Sequence, residues 1–339
     1  MNVPPWVWIL TISLTGVLLL VDVLVIGRRP HVPSMGEAGR HLAFFVTLAV
    51  LFGLGVWYFS GADFATQYFA GWLTEYSLSV DNLFVFLIIM AKFGVPEKLQ
   101  QTALMVGIVI ALILRGIFIA LGAAAINQFS WIFYLFGAFL IYTAVKLARE
   151  GQSDDDEFEE NRFLKWVETR FPATNQWHGT RLFITANGSR IITPMFIVIL
   201  ALGTTDLFFA LDSIPAIYGL TQEPFLVLAA NIFALMGLRQ LYFLIGGLLK
   251  RLVYLGIGLA ILLGFIGVKL ILHAVHDNEL PFINGGQYVS GAPEISIGQS
   301  LAVIISILAI TTIASLLKSR KDIALEDTSR ENNGASRVD

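Results

Sequence analysis

Apolar residues in this chain gather into long blocks separated by short polar stretches. Nine blocks reach the length of about 20 residues that a helix needs to cross the hydrocarbon core of a bilayer. They are residues 6–27, 41–60, 67–92, 103–126, 130–149, 191–219, 226–248, 252–273 and 298–317. Several contain Gly or Pro, which membrane helices tolerate where neighbours satisfy the freed backbone groups. The pattern predicts an all-α polytopic membrane protein with about nine transmembrane helices in a single membrane domain over 1–320.

Lys and Arg fall in alternate loops. Arg28, Arg29 and Arg40 follow the first span, Lys92 and Lys98 the third, Lys250 and Arg251 the seventh, and Lys318, Arg320 and Lys321 the last. The long loop after the fifth span is also rich in both, and the intervening loops have essentially neither. Because basic loops stay in the cytoplasm, the N-terminus is expected outside and the C-terminus inside a bacterial plasma membrane. The first block lacks a basic leader and is followed by Arg28-Arg29, so it reads as a retained helix rather than a signal peptide.

Composition agrees with the pattern. Of 339 residues, 56% are hydrophobic and only 14% charged, where a soluble surface needs about 25%. The lipid bilayer is therefore a partner, and a homo-oligomer is compatible with this composition. A net charge of −3 provides no basic face for nucleic acid. The absence of cysteine removes disulfides, thiolate metal sites and thiol redox chemistry. One sizeable polar segment, about 150–190, carries an acidic run at Asp154–Glu160 and an amphipathic stretch at Asn161–Phe171 suited to the membrane surface. Residues 321–339 are polar and read as a disordered cytoplasmic tail.

Two segments repeat one another. Thr74-Glu75, five residues and Asp81-Asn82-Leu83 match Thr205-Asp206, five residues and Asp212-Ser213-Ile214. Arg115 precedes Gly122 by seven residues as Arg239 precedes Gly246, and Val145-Lys146-Leu147 mirrors Val268-Lys269-Leu270. Each unit covers three spans (67–149 and 191–273), so the two lie inverted in the membrane, an arrangement many secondary transporters share. The blocks 6–27, 41–60 and 298–317 stand outside the repeat.

An acid at the bilayer centre costs about 2.5–3.5 kcal/mol, so Glu75, Asp81, Asp206 and Asp212 facing lipid would cost roughly 10–14 kcal/mol. They must point inward. Six residues of ideal helix separate Glu75 and Asp81 by about 120°, so they share a narrow site only where the helix unwinds. Pro215 offers such a break in the second unit, and the first has no counterpart. With Asn82, Ser77, Ser79, Thr205 and Ser213 nearby, the acids form an all-oxygen donor set of the kind that takes Mn²⁺, Mg²⁺ or Ca²⁺. The competing reading is that they only pair with Arg115 and Arg239 across helices. Four acids exceed two arginines, and a cation or protons would supply the rest.

The arginines are expected to hold the acids or to replace the departing cation. Lys146 and Lys269 can snorkel towards opposite faces. Asp22 is either an interfacial partner of Arg28 and Arg29 or a site ligand. The five histidines fall at or beyond span ends, with His273, His276 and Asp277 as a small outer cluster that could meet a metal. Gly256, Gly264 and Gly267 read as close-packing positions.

At these residues the chain resembles the TerC family of membrane proteins. Glu75–Phe86 and Thr205–Ala216 match its two signature stretches. Arg115-Gly-Ile-Phe, Leu238-Arg239-Gln-Leu-Tyr-Phe243 and the Phe171–Asn175 loop leading to His178-Gly179 also fit. Bacterial members similar to this chain, the Alx type among them, are implicated in Mn²⁺ efflux and grouped with LysE-like cation exporters. The resemblance implies Glu75, Asp81, Asp206 and Asp212 as ion ligands, with Asn82 and Ser213 beside them. Many relatives carry a further acid three residues before the match to Asp206, where this chain has Gly203.

The leading expectation is a non-enzymatic Mn²⁺ exporter exchanging against protons, with no tightly bound cofactor. The family name raises tellurite resistance, but the acid excess opposes an oxyanion path, so such an effect would be indirect. Plant relatives are implicated in membrane-protein insertion, which raises an assembly factor using the acidic loop. An intramembrane aspartyl protease would need a Gly-x-Gly-Asp pattern that is absent.

Overall fold

The computed structural model describes residues 1, 3–28, 33–129, 131–150, 174, 176–186, 189–245, 254–276 and 295–335, with 278, 280, 287, 289 and 293 between the last two segments. Within helices, the side chains of Asp22, Asp81 and residues 319–335, among others, lie outside the described set. The acidic run 154–160, the stretch 161–171 and Asp277 lie outside it altogether.

Nine helices follow one another among the described residues: α1 Pro5–Arg28, α2 Met35–Ser60, α3 Ala62–Lys92, α4 Glu97–Gln128, α5 Ile132–Glu150, α6 Pro194–Tyr218, α7 Pro224–Ile245, α8 Leu255–His276 and α9 Ile297–Ala335. Eight are long and apolar enough to cross a membrane, and α1 contributes a shorter apolar stretch, Pro5–Val21. The chain is an all-α polytopic membrane protein.

Two boundaries differ from the sequence expectation. The sixth span was expected to begin at 191, but Ser189–Ile192 pairs antiparallel with Phe183–Ala186, in register Phe183↔Ile192, and α6 starts at Pro194. The β-branched pair Ile191-Ile192 suits a short strand, and the sequence Asn187-Gly188 is a dipeptide that tight hairpins favour. Thr193 then caps α6 by accepting from the Phe196 amide, with Pro194 in the first helical position. At the other end, helix continues to Ala335 where a disordered tail was expected from 321. Lys321, Ala324, Leu325, Glu326, Arg330 and Glu331 supply residues of high helix propensity there. The apolar part of α9 still ends at Lys318.

Burial identifies the centre of the bundle. The apolar window of α7 is 94% buried and that of α9 only 17%, so α7 is the core helix and α9 a peripheral one. Around α7 stand α2, α3 and α4. Aromatic rings fill the α2–α3–α7 junction, where Phe52 meets Tyr68 and Phe233 with ring centroids 5.0 Å apart. There the Tyr68 hydroxyl donates to the Ala49 carbonyl at 3.1 Å. Across the bundle, α3 packs on α7, α4 on α6, and α5 on α8.

The α5–α8 pair approaches through small residues. A Cβ added at Gly137 would lie 2.8 Å from the Gly267 carbonyl oxygen, and one at Gly267 2.9 Å from the Gly137 carbonyl oxygen. Gly264 faces Ala144 in ordinary contact, whereas Gly256 has open space around it and is no packing position.

Candidate functional site

Arg115 projects from α4 into the centre of the bundle and is 0% exposed. A guanidinium cannot shed its proton there, so every face of it needs an acceptor. Its Nε and Nη2 donate to Asp206 Oδ2 and Oδ1 on α6, at 3.0 and 2.9 Å, a two-pronged match of fork to carboxylate. Its Nη1 donates to Asn231 Oδ1 on α7 at 3.1 Å and reaches Ser213 Oγ at 3.4 Å. The same nitrogen forms an ion pair with Glu75 Oε1 on α3. Asn231 is aimed by its own amide, which donates to the Val227 carbonyl at 3.1 Å. Ser79 Oγ, one turn beyond Glu75, donates to Glu75 Oε1 at 3.4 Å.

Four helices therefore meet at one cation. Glu75 is 0% exposed and Asp206 1%, so the group consists of two buried carboxylates and one guanidinium. With both acids ionised its net charge is −1. Glu75 Oε2 has no hydrogen-bond partner among the described residues, and it marks where the group is under-satisfied.

Of the acids with described side chains, Glu75 and Asp206 meet at Arg115, and Asp212 lies elsewhere. Both α3 and α6 remain helical through their motifs, and Pro215 sits inside α6 without ending it. Without unwinding, the about 120° offset persists. Asp206 and Ser213, seven residues apart, share the face towards Arg115, while Asp212 turns to α5 and accepts from Thr143 Oγ at 3.0 Å. Among the described residues no three His, Asp or Glu side chains come together as a metal cage.

The remaining site residues divide as follows. Ser77 bonds back to the Leu73 carbonyl at 2.8 Å, Asn82 is buried, and Thr205 is half-buried beside Asp206. Arg239 is buried, and its Nη1 lies 3.7 Å from Met105 Sδ on α4. Asp81 and Asp22 carry side chains outside the described residues. Gly203 faces Ile110 on α4, where an added Cβ would come within 3.2 Å, so here it serves the close α4–α6 approach. Of the outer histidine cluster, His273 shares a 2.8 Å hydrogen bond with Gln222.

Sequence reading missed Asn231 and Thr143. Neither is charged, and neither falls in the repeated motif. The available signal was a lone amide in the otherwise apolar run Pro224–Gly237.

The model of the integral membrane protein TerC family matches residues 60–322. An uncharacterized membrane protein of Mycobacterium tuberculosis (strain H37Rv) is 51% identical over 317 residues, covering 93% of this chain and 80% of the relative. One of Myxococcus xanthus is 38% identical over 316 residues, covering 93% of each. An Escherichia coli (strain K12) protein with the provisional name membrane-bound redox modulator Alx is 37% identical over 277 residues, 79% of this chain and 86% of that one. No solved structure matches. The family model covers the acidic motifs, both arginines and every helix from α3 into α9, and the chain belongs to the TerC family of integral membrane proteins.

Proposed function

We propose that this protein carries a divalent cation across the bacterial plasma membrane, Mn²⁺ outward in exchange for protons, using its buried carboxylates as successive ligands. The observation that carries the reading is the charge of the central group, two buried acids held by one arginine, with Glu75 Oε2 unpartnered among the described residues. A purely structural ion pair would be expected to balance, because excess buried charge is costly. An excess of one carboxylate suits a group that alternates between holding a proton and holding a metal. The all-oxygen donors fit a hard cation.

In this reading Arg115 is the resident counter-charge, and an arriving cation takes Asp206 and Glu75 from it. Asp212 on the α5 side of α6 and Asp81 on α3 are further stations, with Asn82 and Ser213 as neutral oxygens. Helix contacts support an inverted repeat. Exchanging α3–α4–α5 with α6–α7–α8 turns the α3–α7 contact into α6–α4 and leaves the α5–α8 contact unchanged. The alternation of basic loops supports an outside N-terminus and a cytoplasmic C-terminus. The redox name of the Escherichia coli relative cannot refer to a thiol in this chain, which has no cysteine.

Cellular metal content tests the proposal. In a host lacking its own Mn exporter, wild type should lower cell Mn, and Asp81→Asn, Asp206→Asn and Asp212→Asn should not, at matched membrane expression. Unchanged Mn with well-expressed wild type would overturn it. Tellurite survival with and without added Mn²⁺, in the same strains, separates a direct from an indirect tellurite effect.

A further inference from the structure

Away from the Arg115 group, the end of the bundle that carries the α6–α7 turn holds a cavity of about 800 Å³. That is within the range of roughly 300–1,000 Å³ typical of small-ligand sites. The start of α3, the α6–α7 turn, the last turns of α8 and the residues leading into α9 frame it. Glu75, Arg115, Asp206 and Asp212 do not line it.

Lys269 does, and it makes no hydrogen bond or ion pair among the described residues. It lies seven residues before the end of α8 at His276, about 10 Å down the helix. Its Cα–Cβ bond tilts towards the α8 N-terminus, away from the rim, which weighs against snorkelling as its role. An ammonium at that depth with no partner among the described residues calls for an anionic one.

The other charged groups that line the cavity among the described residues are Glu223, Asp63 and His273. Glu223 is ion-paired with the Met1 amine, Asp63 is exposed in the first turn of α3, and His273 is engaged by Gln222. Thr221 Oγ donates to Gln67 Oε1 at 2.6 Å, which turns the Gln67 amide into a fixed donor with no acceptor of its own among the described residues. Phe64, Leu220, Leu270 and Ile297 contribute apolar surface to the same lining.

We propose that this cavity binds an anionic phosphate group, with Lys269 as its counter-charge and Gln67 as a neutral donor. The apolar surface suits the glycerol and upper acyl carbons of a phospholipid; a free phosphate would use the polar groups alone. The inference is independent of cation transport.

The test is binding to the purified full-length protein in neutral detergent, using short-chain phosphatidylglycerol, inorganic phosphate and short-chain phosphatidylcholine as separate probes. Saturable one-to-one binding of phosphatidylglycerol alone identifies a lipid site, and binding of inorganic phosphate as well identifies a free-anion site. Lys269→Met should weaken that binding by about ten- to a hundredfold, and Lys269→Arg should keep it. Gln67→Leu should weaken it about two- to tenfold, which decides the matter should the Lys269→Met variant not fold. Equal binding by wild type and Lys269→Met, binding of neither anionic probe, or phosphatidylcholine bound as tightly as phosphatidylglycerol overturns the proposal.

Discussion

At the residue scale, the centre of this protein is a guanidinium shielded from solvent. Arg115 spreads its donors over Glu75, Asp206, Ser213 and Asn231, and the fork geometry makes lysine a poor substitute. Arg115→Met should strand two buried carboxylates and destabilise the protein by about 3–5 kcal/mol, read as a lower unfolding temperature in detergent. Adding Glu75→Gln and Asp206→Asn to Arg115→Met should recover most of that loss, because no unpaired charge then remains. A single variant as stable as wild type would contradict the pairing. The charged members of this group were legible in the sequence because an acid or arginine inside an apolar run must face inward. Their partners were not: Asn231 and Thr143 are cheap enough to bury that hydropathy barely registers them, and which helix faces which is a tertiary fact.

At the scale of elements, the length and apolarity of the blocks anticipated the helices. The hairpin at Phe183–Ala186 and Ser189–Ile192 escaped because its four-residue strands are too short for periodicity to separate from the start of α6. Pro215 removes one amide from α6 without ending the helix, so Asp206 and Asp212 stay on different faces, the first towards Arg115 and the second towards Thr143. The α5–α8 contact gives this scale its prediction. Gly137→Val drives a side chain onto the Gly267 carbonyl and should cost about 1–3 kcal/mol in thermal unfolding. Gly256→Ala, in open space, should stay within about 0.5 kcal/mol.

At the scale of the whole molecule, an acidic centre is enclosed by α3, α4, α6 and α7, while α9 lies at the periphery. Arg115 on α4 holds the Glu75–Asp206 pair at that centre, with Asn231 of α7 as its neutral acceptor. The most direct test is Mn²⁺ flux into liposomes containing the purified protein, with and without an opposing proton gradient. Wild type should move Mn²⁺ faster with the gradient. Glu75→Gln, verified as folded and inserted, should abolish the gradient-driven component. Flux that persists undiminished in Glu75→Gln, or a folded wild type that moves no Mn²⁺, would contradict the account.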